Sequence, residues 1–213
     1  MKIKTALVLG AGLGTRLRPL TGDTPKPMLP IGGRPLIERI FDNILPLGVE
    51  RIIVNTHHCP EKYREHFAEN KYGSVEIVFV HEPVLLDTGG TIKNIAPLLE
   101  NDTPLFVHNG DILYEADFFN FAHNSIHSNT AVDLLLRTEG PVKNVAVKDG
   151  KVTDMRGLLN AEHDNLMQFT GVFIAKPKFI SKAKEFEKDV FSTVDIFIEL
   201  IKNGTPIDRK SVV

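Results

Sequence analysis

Apolar residues fall into two alternating patterns along the chain. Thr5–Leu9 (TALVL) is an unbroken β-favouring run that stops at a glycine cluster, as expected for a strand buried on both faces. From Pro35 the period lengthens. Leu36, Ile37, Ile40, Phe41, Ile44 and Leu45 recur at three- and four-residue spacing, Pro35 stands at a first-turn position and Gly48 closes the segment, which predicts an amphipathic helix. Strand-like runs at 51–55, 75–80 and 104–108 then alternate with helix-like stretches at 60–70, 90–99 and 117–127. Such alternation, with right-handed crossovers, predicts a parallel sheet. Beyond residue 130 the β-like runs 132–137, 142–147 and 167–175 are separated by turn signals such as Asp149-Gly150 rather than by helices, so antiparallel strands are expected there. A closing helix is expected at 191–202, ended by Asn203-Gly204, with nine residues after it.

The predicted fold is therefore α/β: a Rossmann-like mixed, mostly parallel sheet flanked by helices, with added antiparallel strands in the C-terminal part. No repeat or low-complexity linker divides the chain, so residues 1–213 are expected to form one domain with an N-terminal part (1–130) and a C-terminal part (131–213).

The strongest chemical signal is Gly10-Ala11-Gly12-Leu13-Gly14-Thr15-Arg16, directly after a buried strand, where small residues let backbone N–H groups close around phosphate oxygens. A dinucleotide fingerprint starting at Gly10 needs a third glycine at position 15, where Thr15 stands, and Pro19 follows where the helix should be established. The G-x-x-x-x-G-K-[ST] loop fails as well, because the first downstream lysine is Lys26. A third kind of phosphate loop is the reading that remains beside a simple glycine turn. Its cations, Arg16, Arg18 and Lys26, lie in a stretch stiffened by Pro19, Pro25, Pro27 and Pro30. Lys26, between two prolines, would lose little entropy on engaging an anion.

A second signal is Leu105-Phe106-Val107-His108-Asn109-Gly110-Asp111, an apolar strand delivering a carboxylate at its carboxyl end, the edge where open α/β sheets bind ligands. Asp111 is a candidate Mg²⁺ ligand, since Mg²⁺ takes one or two carboxylates with substrate phosphates and waters. The alternative is an aspartate capping the turn after Gly110. Asp87-Thr88-Gly89-Gly90 stands between a strand and a helix. Its glycines permit close approach of a base or ribose, and Asp87 or Thr88 can supply polar contacts or cap the helix. His57-His58 lacks a third metal ligand nearby and is assigned to the surface or to the support of the site. No G-x-S-x-G stretch exists, and Cys59 has no evident partner, so nucleophilic hydrolase chemistry has no support.

Composition narrows the partners. The 25 Lys+Arg and 27 Asp+Glu leave a net charge of −2, which argues against a nucleic acid polymer or an anionic membrane. Cys59 is the only cysteine, so no intrachain disulfide can form, and a reducing cytoplasmic location is expected.

The segments Leu9 to Thr21, Thr24-Pro-Lys-Pro-Met-Leu-Pro30 and Gly33-Arg-Pro-Leu-Ile37 together resemble the signature of sugar-1-phosphate nucleotidylyltransferases. The resemblance continues through Leu86-Asp-Thr-Gly-Gly90, Asn109-Gly-Asp111 and Phe169-Thr-Gly-Val172, and is nearest the compact branch of N-acetylmuramate-1-phosphate uridylyltransferases and mannose- or heptose-1-phosphate guanylyltransferases. It implies that a nucleoside triphosphate and a sugar 1-phosphate give a nucleoside-diphosphate sugar and pyrophosphate, with UTP or GTP as donor and Mg²⁺ as cofactor. The runner-up is a catalytically impaired nucleotide or nucleotide-sugar binding protein on the same fold; a homodimer is the assembly considered. By position, Arg16 and Lys26 would be catalytic; Gly10, Ala11, Gly12, Gly14, Thr15, Arg16, Asp87, Thr88, Gly89, Gly90 and Asn109 would meet the nucleotide; Glu162 and Gly171 would face the sugar; and Asp111 would hold the metal. The family's second metal-binding aspartate, in a Trp-x-Asp-x-Gly-like segment, has no match in this Trp-free chain, and Asp208 is not given that role. The 131–213 part is accordingly expected to lack the usual C-terminal end.

Overall fold

The computed structural model describes residues 2–212, with side-chain environments through residue 210. Two compact units result, one from residues 3–85 and 105–119, the other from 86–104 and 120 onward. The second unit thus takes up residues 86–104 and 120–130, which the 1–130 and 131–213 division places with the N-terminal part. Among the described residues no helix is long and apolar enough to cross a membrane.

The first unit contains β1 (Thr5–Leu9), β2 (Pro30–Ile31), β3 (Arg34–Pro35), α1 (Leu36–Ile44), β4 (Arg51–Thr56), α2 (Pro60–His66), β5 (Lys71–Tyr72), β6 (Val75–His81) and β7 (Leu105–Asn109). Its strands lie in the order β5-β6-β4-β1-β7, and only β5 runs antiparallel to its neighbour. The near-continuous apolar runs reflect burial on both faces: Ala6, Leu7, Val8, Ile52, Ile53, Val54, Phe106 and Val107 have no exposed surface. Helix α1 buries Ile37, Ile40, Phe41 and Ile44 completely, the stripe its spacing predicts, and each such side chain contributes about 1.5–3 kcal/mol of apolar burial. Gly48, in the left-handed region at φ 70°, ends the segment.

The second unit contains α3 (Asp87–Ile95), α4 (Phe118–Ile126) from Asn120 on, β8 (Val132–Arg137), β9 (Val145–Lys148), β10 (Lys151–Met155), β11 (Asn165–Ala175), α5 (Pro177–Glu185), α6 (Thr193–Lys202) and β12 (Ile207–Val212). Antiparallel pairing dominates, as expected. β11 pairs with both β8 and β9, β9 with β10, and β10 with β12; β12 then returns to β8 in parallel, so the pairings close into a ring. A bulge between Phe169 and Phe173, with Gly171 at φ 80°, lets β11 turn from one partner to the other.

Besides the two-residue strands β2, β3 and β5, three elements go beyond the sequence expectations. β10 and β12 are short and charged, and α5 lies in a stretch to which no element was assigned. The helix expected from residue 90 starts at Asp87, which draws Gly89 and Gly90 inside it. Near the ends of β8 and β11, Asp133 has no exposure and forms an ion pair with Lys176 at 3.0 Å. Hydroxyls of Ser125, Ser128 and Thr130 also donate to its carboxylate, while the Lys176 ammonium donates to the Ser128 carbonyl at 2.7 Å.

Candidate active site

The register of the first unit sets the stage. Leu9 lies opposite Asn55 of β4 on one side and Asn109 of β7 on the other, so the glycine loop and Asp111 leave the same carboxyl edge of adjacent parallel strands. Gly110 makes the approach close: its N–H donates to the Leu9 carbonyl at 2.9 Å, and a Cβ there would lie 2.5 Å from that oxygen and 3.1 Å from the Pro27 ring. Pro27 and Met28, buried in a 3₁₀ turn over Lys26–Met28, hold the proline-braced segment against this edge. The result is a direct contact between the two predicted chemical groups. The Lys26 ammonium donates to Asp111 Oδ2 at 2.7 Å, with the side chains 27% and 37% exposed.

The loop itself is braced at both ends. The Gly10 N–H donates to Asn55 Oδ1 at 2.9 Å and its carbonyl accepts from the Tyr63 hydroxyl at 3.0 Å, so both of its polar groups are committed within the protein. Gly14 adopts φ 62°, and a Cβ there would sit 2.9 Å from Thr21 Cγ2. The Thr21 hydroxyl donates to the Gly14 carbonyl at 2.8 Å, and Thr21 is in turn held through its own carbonyl by His58 Nε2 at 2.9 Å. His58 therefore supports the loop. Between the braces, the N–H groups of Ala11 to Arg16 have no acceptor among the described residues. Gly12 is exposed with open space on its Cα side, and Thr15 and Arg16 are exposed in a 3₁₀ turn, Arg16 without an ion-pair partner among the described residues. Successive free amides beside a cation are what an anion-binding loop requires.

The environment of β7 keeps its histidine neutral. His108 is wholly buried beside Phe106 and Phe118, and burial pulls its pKa down to about 4. Its Nδ1 donates to the Asn109 carbonyl at 2.6 Å, and Nε2 has no partner among the described residues. Asn109 itself is half-buried at the strand end. Burial, with help from Glu61 and Asp23, pushes the Cys59 thiol up, the opposite of what a nucleophile needs.

The remaining predicted residues belong to the second unit. Gly89 and Gly90 are buried, their N–H groups donate to the Phe191 carbonyl at 2.9 and 3.0 Å, and a Cβ on either would strike Phe191 or Asp189. Their need for glycine is thus accounted for by packing of α3 on the 189–192 segment. Thr88 is tied to Thr193, whereas Asp87 is exposed at φ 58° and accepts from the Thr88 N–H at 2.6 Å. Gly171 occupies the β11 bulge, and Glu162 is a surface residue, 88% exposed, paired with Lys148 at 2.6 Å. Sequence reasoning missed Asn55, Tyr63, Thr21 and Gly110. Only Gly110 carried a local signal, as a glycine between a strand and a carboxylate.

Comparison with known proteins decides the family. The model of the nucleotidyl transferase family matches residues 5–145. The chain belongs to that family. This nucleotidyl transferase is 30% identical over 221 residues to the N-acetylmuramate alpha-1-phosphate uridylyltransferase of Caulobacter vibrioides, covering 94% of the chain and 86% of that protein. It is 39% identical over 132 residues to the mannose-1-phosphate guanylyltransferase of Mycobacterium tuberculosis, but spans only 36% of that relative while 62% of the chain is matched. The structure of HddC from Yersinia pseudotuberculosis complexed with GMP-PN shares the fold, with a TM-score of 0.78 at 24% identity over 99% of this chain and 91% of that one.

Proposed function

We propose that this nucleotidyl transferase moves a nucleoside monophosphate group from a nucleoside triphosphate, UTP or GTP, to a sugar 1-phosphate. An oxygen of the sugar 1-phosphate attacks the α-phosphorus in line, the bond to the β-phosphate oxygen breaks, and pyrophosphate leaves with that electron pair. No group of the protein needs to become covalently attached, so the work is positioning and charge stabilisation. The observation that carries the reading is the row of amides from Ala11 to Arg16, without acceptors among the described residues, leaving the same sheet edge as the Lys26–Asp111 pair.

Each group has a role suited to its surroundings. The amides around Gly12 and Gly14, with Ala11 and Thr15, cradle the phosphates, and Arg16 neutralises the departing pyrophosphate. Lys26, already aimed by Asp111, stabilises charge at the α-phosphate. Gly10 anchors the loop and contributes no amide to the ligand. Asn109 is assigned to the nucleoside. Asp111 also fits a hard divalent cation: Oδ2 is held by Lys26, Oδ1 has no partner among the described residues, and the side chain is 37% exposed. A single carboxylate with substrate phosphates suits Mg²⁺, which when bound supplies further charge neutralisation on the triphosphate. The names of the two relatives described above, both transferases, favour an enzyme over a binding protein.

Pyrophosphate release measured with each NTP against mannose, N-acetylmuramate and heptose 1-phosphates tests the proposal. Release in at least one pairing, lost on chelation of divalent metal, is expected. Nucleotide binding without release in every pairing overturns it in favour of a binding protein.

A further inference from the structure

The glycine loop springs from a single residue, Gly10, whose peptide groups are gripped by side chains from two other elements. Asn55 stands at the end of β4 opposite Leu9, and its amide is directional: Oδ1 accepts the Gly10 N–H at 2.9 Å while Nδ2 donates to Glu82 Oε1 at 2.9 Å. Asn55 and Glu82 are 3% and 1% exposed, so this chain of hydrogen bonds runs in a medium of low dielectric. Glu82 is itself fixed through its backbone, its N–H donating to the Thr56 carbonyl at 2.8 Å and its carbonyl accepting from His57 Nδ1 at 2.6 Å. Tyr63, fully buried on α2, holds the Gly10 carbonyl from the other side.

We infer that Asn55 and Glu82 are positioning residues for phosphate binding: their buried relay fixes the peptide plane of Gly10 and thereby the direction in which the free amides of Ala11 to Arg16 emerge. A loop whose root is already fixed loses less conformational entropy when a polyanion orders it, so the relay acts on affinity and not only on folding. The inference rests on the phosphate-loop reading proposed above.

The relay makes a reciprocal test possible. Asn55→Asp removes the donor facing Glu82 and sets two carboxylates against each other. Glu82→Gln alone leaves an acceptor in place. The double variant Asn55→Asp/Glu82→Gln moves the donor to position 82 and restores both bonds with the charge unchanged. Binding of inorganic tripolyphosphate with Mg²⁺ to the full chain is measured by titration calorimetry well below each variant's Tm. Asn55→Asp is expected to weaken binding about tenfold or more, Glu82→Gln less than about threefold, and the double variant to recover to within about threefold of wild type. Should Asn55→Asp fail to fold, Tyr63→Phe, which deletes one hydroxyl, is expected to weaken binding about fivefold. A folded Asn55→Asp that binds like wild type despite a lower Tm, a folded double variant that recovers nothing, or an unaffected Tyr63→Phe overturns the inference. No binding by the wild type overturns the phosphate-loop reading itself, and the inference with it.

Discussion

Lys26 reaches Asp111 at 2.7 Å in the first unit, and Lys176 reaches Asp133 at 3.0 Å in the second, with the same two functional groups in each case. Their surroundings differ in every other respect. Asp133 has no exposure and takes hydroxyl hydrogen bonds from Ser125, Ser128 and Thr130, and the Lys176 ammonium also donates to the Ser128 carbonyl and to hydroxyls of Ser128 and Thr130. Asp111 has one oxygen uncommitted among the described residues, and both partners meet solvent. Saturation and burial make the Lys176–Asp133 arrangement a structural clamp, because neither charge has capacity left for a ligand. Spare capacity at a sheet edge makes the other a reagent. Distance alone does not separate them; the inventory of partners does.

The largest effect expected from breaking this contrast is at the clamp. Asp133→Ala strands a buried ammonium and should cost about 3–5 kcal/mol in urea unfolding. Pyrophosphate release per folded molecule should stay near wild type, and a fall as deep as that of a Lys26 variant would show that the two pairs are not functionally distinct. Lys26→Ala should reverse the pattern, cutting release about 10²–10³-fold while unfolding free energy moves by less than about 1 kcal/mol, as befits a partly exposed pair. If its Tm collapses, Lys26 is structural instead.

The first unit also carries an acid-sensitive element in the buried His108. His108 has its pKa lowered by burial from 6.5 to about 4, so below pH 6.5 the unfolded chain takes up a proton that the folded chain refuses. The His108 contribution to stability should therefore fall as pH drops from 6.5 toward 4, by on the order of 3 kcal/mol, and level off below. Unfolding midpoints across that range should lose this slope in His108→Phe, which keeps a ring between Phe106 and Phe118. A slope unchanged by the substitution assigns the acid sensitivity elsewhere.

The smallest effect is expected at a more exposed lysine–carboxylate pair, Lys148–Glu162. Glu162→Gln should alter stability by less than about 0.5 kcal/mol and the KM for sugar 1-phosphate by less than about twofold. A large rise in KM would restore the sugar contact that resemblance assigns to Glu162.

The sequence disclosed the elements whose physics is local. A buried parallel strand needs a continuous apolar run, and β1, β4 and β7 have one; α1 needs a stripe, and its five buried residues keep the spacing. What stayed hidden depends on pairing across the chain. β12, with its charged Asp208, Arg209 and Lys210, becomes a strand because β8 offers it a partner. α5 did carry a legible signal, Pro177 at its start and Phe179, Ile180 and Ala183 buried along one face. Gly89 and Gly90 look from sequence like a ligand-facing loop, yet they serve helix packing because Phe191 and Asp189, a hundred residues away, press on them. Lys26 and Asp111 were each recognisable, but their meeting was not: it follows from Gly110 and from the register that puts Leu9 beside Asn109.

The parallel seam between β8 and β12 has a consequence for biosynthesis. Val132 waits for Ile207 before that edge is covered, so a nascent chain must be made past residue 207 before the ring of strands can close. Until then the apolar strand Val132–Arg137 offers unsatisfied backbone groups to any neighbouring polypeptide, and proteolytic loss of residues 207–212 would reopen the same edge. Chaperone dependence and aggregation of clipped material, rather than loss of chemistry, are the phenotypes to look for in variants of that segment.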